Sequence, residues 1–278
     1  MLDIRPSPIA GTWYPASPAA LAAEVDEYIA NAERNLPPLD GEVLGVVSPH
    51  AGIRYSGPVA GYSYAAVKGK SPELVVVVSP MHYPYPHPML TTAHKAYATP
   101  LGAIPVDQSA LARLSALLEA EIGISPTPVA NDPEHSLEIE LPFLQRALAG
   151  EFKLLPIMLR DYRPQVCQAL GLALAEVCPR DTLFVASSDL SHYYPQAVAE
   201  RYDREMLKRI ASLDPIAVLR AEAEGVGFAC GAGPIAVTIW AVKARGARRG
   251  VILHYATSGD TTGDYSSVVG YGAVAFLR

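Results

Sequence analysis

The fold of this chain is decided by a stretch that reads VLGVVSPH from Val43 to His50. Its first six residues are almost all apolar, which predicts a buried β-strand, and Ser-Pro-His follows at once. The segment LVVVVSPMH, from Leu74 to His82, repeats this arrangement. Such unbroken apolar runs are typical of strands covered on both faces, as in the parallel sheets of α/β proteins.

A third apolar segment, Thr182–Ser187, leads into SDLSH, residues 188–192. Ligands of open α/β sheets bind in the crevice outside the carboxyl ends of the strands. Three histidines that follow three separate strands therefore predict a metal or acid/base site at one edge of the sheet.

The rest of the sequence alternates between helical and strand patterns, without low-complexity linkers or internal repeats. Helices are predicted over residues 18–32, 57–67, 109–118, 132–148, 164–177, 196–210, 215–222 and 231–244, and further strands over 152–159, 251–257 and 267–277. Pro142 is expected to bend the helix over 132–148 or to move its start later. The alternation predicts a single α/β domain over residues 1–278, with helices on both faces of a mixed sheet.

Composition excludes several classes of function. Half of the residues are hydrophobic, 18% are charged and the net charge is −6, so nucleic-acid binding is not expected. No apolar run has transmembrane length and the amino terminus does not resemble a signal peptide, so no membrane association is expected. The cysteines number only three, and this small and odd count argues against a disulfide framework. They indicate a reducing compartment, and we expect a cytoplasmic protein.

His50 and His82 are the first candidates for metal binding. Each follows a strand and a proline closely, and transition metals require imidazole nitrogens that are held rigidly. The alternative for either residue is that its ring caps the strand or binds a backbone carbonyl.

Cys230 precedes a predicted helix, in the sequence FACGAGP from Phe228 to Pro234. A helix amino terminus favours a thiolate, which could bind a metal or act as a nucleophile. The alternative is a small buried apolar residue, which is our interpretation of Cys167 and Cys178.

Two acidic–histidine pairs are further candidates. Asp189 could orient the imidazole of His192 or cap the next turn. His135 and Glu138 are three residues apart near a predicted helix start, so they are expected to share one helix face, in a functional or a capping role.

Seven short motifs in this order resemble the Memo family, the B component of the AmmeMemoRadiSam group. They are Ala10–Tyr14 (AGTWY), Pro49–Gly52 (PHAG), Tyr55–Gly57 (YSG), Pro80–His82 (PMH), Glu134–Glu138 (EHSLE), Ser187–His192 (SSDLSH) and Cys230-Gly231 followed by Pro234. Together they span nearly the whole chain. Two departures are Ala232, where family members carry arginine, and Met81, where serine is common.

The resemblance implies the three-layer α/β/α sandwich of the class III extradiol dioxygenases, with a metal at the strand ends. It implies His50, His82 and Cys230 as metal ligands, and His192 as an acid/base histidine with Asp189 beside it. His135 and Glu138 are our further candidates, for positions behind the ligands. Iron(II) is the expected metal, with copper or zinc as alternatives.

Our leading hypothesis is a metal-binding, dioxygenase-like redox enzyme that acts on an unidentified small molecule or peptide. Proteins of the AmmeMemoRadiSam group are its expected partners. Two alternatives stay open: a peptide- or protein-binding signalling module that reuses the fold, and a metal-free hydrolase using Cys230 with His192.

Overall fold

The apolar segments of the sequence form neighbouring strands of one large sheet. The structure, a computed structural model, describes residues 3–278. Its strands are β1 (Ile4–Arg5), β2 (Val43–Ser48), β3 (Leu74–Pro80), β4 (Met89–Thr92), β5 (Ala96–Thr99), β6 (Gly102–Pro105), β7 (Thr127–Val129), β8 (Lys153–Leu159), β9 (Leu183–Ser187), β10 (His192–Tyr194), β11 (Arg249–Thr257) and β12 (Val268–Leu277).

Helices follow most of the central strands, as the alternating pattern predicted. They are α1 (Pro18–Glu33), α2 (Ile53–Ala65), α3 (Gln108–Ile122), α4 (Glu140–Ala147), α5 (Pro164–Val177), α6 (Gln196–Ala211), α7 (Pro215–Arg220), α8 (Ala232–Ala244) and α9 (Ser258–Thr262). Over residues 3–278, no helix combines the length and the apolar character needed to cross a membrane.

The large sheet is mixed and has nine strands. Its order is β10-β12-β2-β9-β3-β8-β4-β7, with β11 paired to β12. The central strands β2, β9, β3 and β8 are mutually parallel, whereas β12 is antiparallel to β2. The carboxyl ends of β2, β9 and β3 therefore lie side by side, and the three histidine-bearing loops start from one edge.

Strand β3 shows why the sheet lies between two layers of helices. Val75 and Val77 belong to one apolar core, together with residues of α1, α2 and α4. Val76 and Val78 belong to a second core, with residues of α3, α5, α6 and α8. Successive side chains of a strand point to opposite faces, so the four consecutive valines of β3 supply both cores. The predicted three-layer α/β/α sandwich is confirmed.

The helix predicted over residues 132–148 is wrong in its first half. Residues 132–135 are irregular, residues 136–139 form turns, and α4 begins only at Glu140. Pro142 lies in the first turn of α4, where its missing N–H costs no helical hydrogen bond. Of the two effects expected of Pro142, the later helix start is the one that occurs. The helix face that His135 and Glu138 were expected to share does not form.

Several short elements are absent from the sequence-based prediction. Strands β4 to β7 and β10 have three or four residues each, and β1, β5 and β6 form a separate three-stranded sheet. Helix α2 begins at Ile53 rather than at Gly57, and it accommodates Pro58 in its interior. It therefore starts almost directly after His50.

Candidate metal centre

His50 lies at the end of β2, and both its backbone and its ring are fixed. Its backbone N–H donates to Asp189 Oδ1 at 2.8 Å, and its Nδ1 lies 2.8 Å from Ser187 Oγ. The hydroxyl of Ser187 donates its single hydrogen to the carbonyl oxygen of Ser136 at 2.6 Å. Ser187 must then accept from His50, so Nδ1 of His50 carries the proton and Nε2 presents a bare lone pair.

His82 follows β3 and is fixed by a carboxylate instead. Glu134 Oε2 accepts the backbone N–H of His82 at 2.6 Å, and Glu134 Oε1 lies 3.0 Å from Nδ1 of His82. Burial opposes ionisation of Glu134, but hydrogen bonds from His82 and from the backbone N–H of Ser136 help to hold the pKa of this carboxyl well below its usual range. The ionised carboxylate only accepts, so Nδ1 of His82 is the donor and Nε2 is the ring nitrogen left for another partner.

Cys230 reaches the same place from α8. Its backbone N–H donates to the carbonyl oxygen of Asp189 at 3.3 Å, and the N–H of Gly231 donates to Ser188 Oγ at 2.9 Å. A Cβ atom at Gly231 would lie only 2.4 Å from the carbonyl oxygen of Ser187. The glycine therefore lets the amino terminus of α8 contact the end of β9.

The two imidazoles and the thiol converge. One potential ligand atom from each of His50, His82 and Cys230 lies within 4.8 Å of the others, and Cys230 Sγ is 3.1 Å from Nε2 of His50. Metal bonds of about 2.0–2.3 Å place neighbouring tetrahedral ligands roughly 3.5 Å apart, so small side-chain adjustments suffice. The convergence predicted from the sequence is confirmed, and the donor set fits a transition metal; metal binding itself stays a prediction.

Burial dominates the protonation of this cluster. It raises the pKa of the Cys230 thiol, with the carboxyl of Asp189 adding to the effect, and it lowers the pKa of His50 well below its usual value. The expected thiolate is therefore not favoured by the helix terminus alone. The thiol instead donates its proton toward the bare Nε2 of His50, the contact that a metal ion would replace.

His135 packs against both histidines. Its ring stacks on that of His82 with centroids 4.8 Å apart, meets that of His50 edge-on at 5.6 Å, and stacks on Trp13 at 4.0 Å. Burial lowers its pKa to about 4, so it is neutral near pH 7. Ligand atoms of His82, Glu134 and His135 also lie within 4.8 Å of one another. Glu134 Oε1 already accepts from His82 Nδ1, so we assign this group to orienting His82.

His192 lies on β10, beside the cluster. Its ring is 5.5 Å from that of Phe228, and burial lowers its pKa. Asp189 does not hydrogen-bond His192 within the described part of the chain; its carboxyl accepts the backbone N–H of His50, and burial raises its pKa to about 7. Its observed contact positions the loop of His50. The catalytic roles of His192 and Asp189 stay predictions.

Glu138 belongs to a different cluster from the histidines. Its carboxylate accepts hydrogen bonds from Arg5, Ser7 and Tyr14. The helix that was predicted to place both residues on one face is absent over residues 132–139, and His135 and Glu138 contact different side chains.

Sequence reasoning missed Glu134 and Ser187, the two side chains that fix the histidine tautomers. Glu134 directly precedes His135 in a motif already noted, and Ser187 is the last residue of β9. No local signal marks Ser187, because its place beside the His50 loop follows from the strand order of the folded sheet, in which β9 lies between β2 and β3.

Fold and site together define an α/β/α sandwich protein with a candidate two-histidine, one-cysteine metal centre at the carboxyl ends of its parallel strands. The family model described as "Memo-like protein" matches residues 5–275, and the chain belongs to this family.

Curated relatives support the assignment over the full length. The chain is 36% identical to a MEMO1 family protein of Methanopyrus kandleri, with 99% of each chain covered. It is 36% identical to a MEMO1 family protein of Nitrosopumilus maritimus, with 99% of this chain and 100% of the relative covered. A MEMO1 family protein of Ignicoccus hospitalis is 35% identical, with 98% of each chain covered.

Proposed function

We propose that this protein is a non-haem iron(II) protein with redox, dioxygenase-like chemistry, in which His50, His82 and Cys230 hold the metal. The observation that carries the proposal is the orientation of the two imidazoles. Each has its Nδ1 proton committed to an acceptor, which leaves Nε2 as the ring nitrogen available to a metal where both rings approach Cys230. A core histidine that only satisfies its own hydrogen bonds has no need of this arrangement.

The donor set supports a redox metal. Two imidazoles and a thiolate leave coordination positions open for a small ligand and for oxygen, and iron(II) bound there would supply one-electron redox capacity. Copper(I) also suits cysteine and histidine ligands, and zinc fits the same set.

The protein's own residues have separable roles in this proposal. Glu134 and Ser187 hold the ligand rings in one tautomer, and Cys230 gives up its proton on metal binding. His192, beside the cluster, moves a proton on the bound small molecule or peptide. Because Cys230 must remain a free thiol, we place the protein in a reducing compartment such as the cytoplasm. Proteins of the AmmeMemoRadiSam group remain its proposed partners.

The test is anaerobic titration of the metal-free protein with Fe²⁺, Cu⁺ and Zn²⁺, followed by elemental analysis and a screen for oxygen uptake. We expect one ion per chain in the wild type and strongly reduced binding in Cys230→Ser. The matched control is Cys178→Ser, because Cys178 is a buried cysteine outside the cluster.

Other outcomes identify the alternatives. Wild-type protein that binds none of the three ions, but does bind peptides or partner proteins, would favour the binding-module hypothesis. The metal-free hydrolase required Cys230 beside His192, whereas the histidine hydrogen-bonded to Cys230 is His50. Metal-independent acylation of Cys230 by a substrate-like ester, with release of the alcohol, would be the result that supports a hydrolase.

A further inference from the structure

The buried guanidinium of Arg5 lies behind the candidate metal centre. Its side chain is 1% exposed, and its Cζ lies 4.8 Å from the centre of the Tyr97 ring. Burial of an arginine is costly unless its donors are all used. The donors of Arg5 are used on a single loop, residues 132–138, which is more than 120 positions away in the sequence.

Arg5 binds this loop at both ends. Nε and Nη2 donate to the two carboxylate oxygens of Asp132, each at 2.8 Å, and Nη1 donates to Glu138 Oε2 at 2.5 Å. Nη2 also donates to the carbonyl oxygens of Asp132 and Glu134, at 3.0 and 2.8 Å. A planar guanidinium can make these contacts at once when one Nη2 hydrogen is shared between two acceptors, whereas an ammonium cannot.

The contact to the Glu134 carbonyl is the informative one. Glu134 is the residue whose carboxylate accepts both the backbone N–H and Nδ1 of His82. Residues 132–139 have no helix or strand to fix their backbone. The position of the Glu134 carboxylate therefore depends on the anchors at the two ends of the loop.

We propose that Arg5 is a positioning residue for the metal centre, which acts through Glu134 to hold the imidazole of His82 with its Nδ1 protonated and its Nε2 free. Neighbouring residues of the same amino-terminal segment assist, since Ser7 and Tyr14 also donate to Glu138. Its effect on metal affinity rests on the function proposed above, but its effect on His82 does not require a metal.

The first test therefore uses the metal-free protein. Long-range ¹H–¹⁵N NMR of the neutral imidazole distinguishes the two tautomers of His82. We expect the wild type to show Nδ1–H alone and Arg5→Lys to show a mixture with Nε2–H, together with a shifted Trp13 and His135 environment. The control is Arg146→Lys, which alters an exposed bidentate pair with Asp26 and should leave His82 unchanged.

Asp132→Asn provides a second variant, because it keeps the shape of the loop and the charge of Arg5 while weakening their contact. It should move His82 in the same direction as Arg5→Lys. A folded Arg5→Lys or Asp132→Asn protein in which His82 remains entirely Nδ1–H would overturn the proposal. If neither variant folds, Arg5 is a residue of the core alone and the proposal fails.

A double-mutant cycle on Fe²⁺ affinity separates positioning from general stability. Loss of a group that orients a metal ligand typically weakens binding by about 10–100-fold. We expect this loss in Arg5→Lys and in Glu134→Gln, and little further loss in the double variant, because Arg5 acts through Glu134. Additive losses would contradict that route. A wild type that binds no metal would defeat the proposed function, while the tautomer result would still decide the role of Arg5.

Discussion

At the scale of single residues, the two histidines proposed as ligands are oriented by chemically different acceptors. His50 donates to a neutral hydroxyl of Ser187 and is buried, whereas His82 donates to the ionised carboxylate of Glu134 and its side chain is 34% exposed. A carboxylate partner raises the basicity of an imidazole ligand more than a hydroxyl does. His82 is therefore the more accessible and the more electron-donating of the two, and we expect it to contact an incoming ion first.

Substitution of single histidines should separate binding from chemistry. We expect His50→Ala and His82→Ala to weaken metal affinity strongly, because each removes one of three protein ligands. His192→Ala should leave metal stoichiometry unchanged and reduce the rate of any reaction by about 10²- to 10⁴-fold, the usual contribution of a general acid or base. Calorimetric titration of the three variants measures the first effect.

His87→Ala is the control, because His87 is exposed in a loop outside the cluster. If His192→Ala loses metal as severely as His50→Ala, then His192 is a ligand and the assignment of Cys230 is wrong.

Thiol labelling should report the protonation and the occupancy of Cys230. Cys230 is half-buried, whereas Cys167 and Cys178 are buried, so iodoacetamide should modify Cys230 first in metal-free protein. Burial raises the pKa of the thiol, which lowers the thiolate fraction near neutrality, so the rate should rise with pH throughout the neutral and mildly alkaline range. Saturating Fe²⁺ should suppress the labelling of Cys230.

Mass spectrometry of the labelled peptides identifies the site. Labelling of Cys167 or Cys178 ahead of Cys230, without protection by metal, would argue against a ligand role for Cys230.

At the scale of elements, the sequence predicted those helices and strands whose pattern lies within their own residues. The apolar runs of β2, β3 and β9 carry their own signal, because a strand buried on both faces is apolar throughout. Residues 132–139 carry no such signal: their conformation depends on Arg5, whose distant sequence position gives no hint of the contact. The Asp-Pro pair at 132–133 resembles a helix start, but Asp132 binds the guanidinium of Arg5 instead.

The junction between β9 and α8 should tolerate no side chain at position 231. A Cβ there would lie 2.4 Å from the backbone oxygen of Ser187. Gly231→Ala should therefore push the start of α8 away from the strand end, destabilise the fold by roughly 1–3 kcal/mol and weaken metal binding through Cys230. Urea denaturation and metal titration measure the two effects.

Gly150→Ala is the matched control, because a Cβ at Gly150 meets no atom within 4 Å. Equal stability of the two alanine variants would show that α8 can shift freely, and that Gly231 does not set the position of Cys230.

At the scale of the whole molecule, the order of the strands brings the site together. The proposed ligands lie at positions 50, 82 and 230, and β9 stands between the strands that precede the two histidines. The sequence predicted that the strand ends share an edge, because parallel strands of an α/β sheet do so. The sequence did not predict that β9 lies between β2 and β3, because the order of the strands is decided by packing of the complete sheet.

The stability of the fold should depend on pH because one buried carboxyl group is neutral in the folded protein. Glu140 is fully buried, accepts a hydrogen bond from Tyr64, and leaves Oε1 without a hydrogen-bond partner within the described chain. Burial raises its pKa to about 8. The folded state thus retains a proton that the unfolded chain releases above about pH 4.5. The contribution of this proton to the free energy of unfolding is complete below about pH 4.5. It declines as pH rises toward about 8, by up to about 1.4 kcal/mol per pH unit.

Glu140→Gln should flatten this decline, because an amide imitates the protonated acid without releasing a proton. Urea denaturation between about pH 5 and about pH 8 measures the slope. Glu121→Gln, at an exposed position of α3, should retain the wild-type slope. An unchanged slope in Glu140→Gln would mean that Glu140 is ionised in the folded protein.

Metal binding should stabilise the entire domain, because its ligands join segments that are far apart in the sequence. An ion present at about 100 times its dissociation constant stabilises the folded state by about 2.7 kcal/mol, provided that the unfolded chain does not bind it. For a domain of this size we expect the melting temperature to rise by about 5 °C or more. Scanning calorimetry with Fe²⁺ and with a chelator measures the difference.

His192→Ala should show the full rise in melting temperature and His50→Ala should lose it, since only His50→Ala removes a proposed ligand. A rise that persists in His50→Ala and Cys230→Ser would place the stabilising ion elsewhere in the molecule. His50, His82 and Cys230 would then not be its ligands.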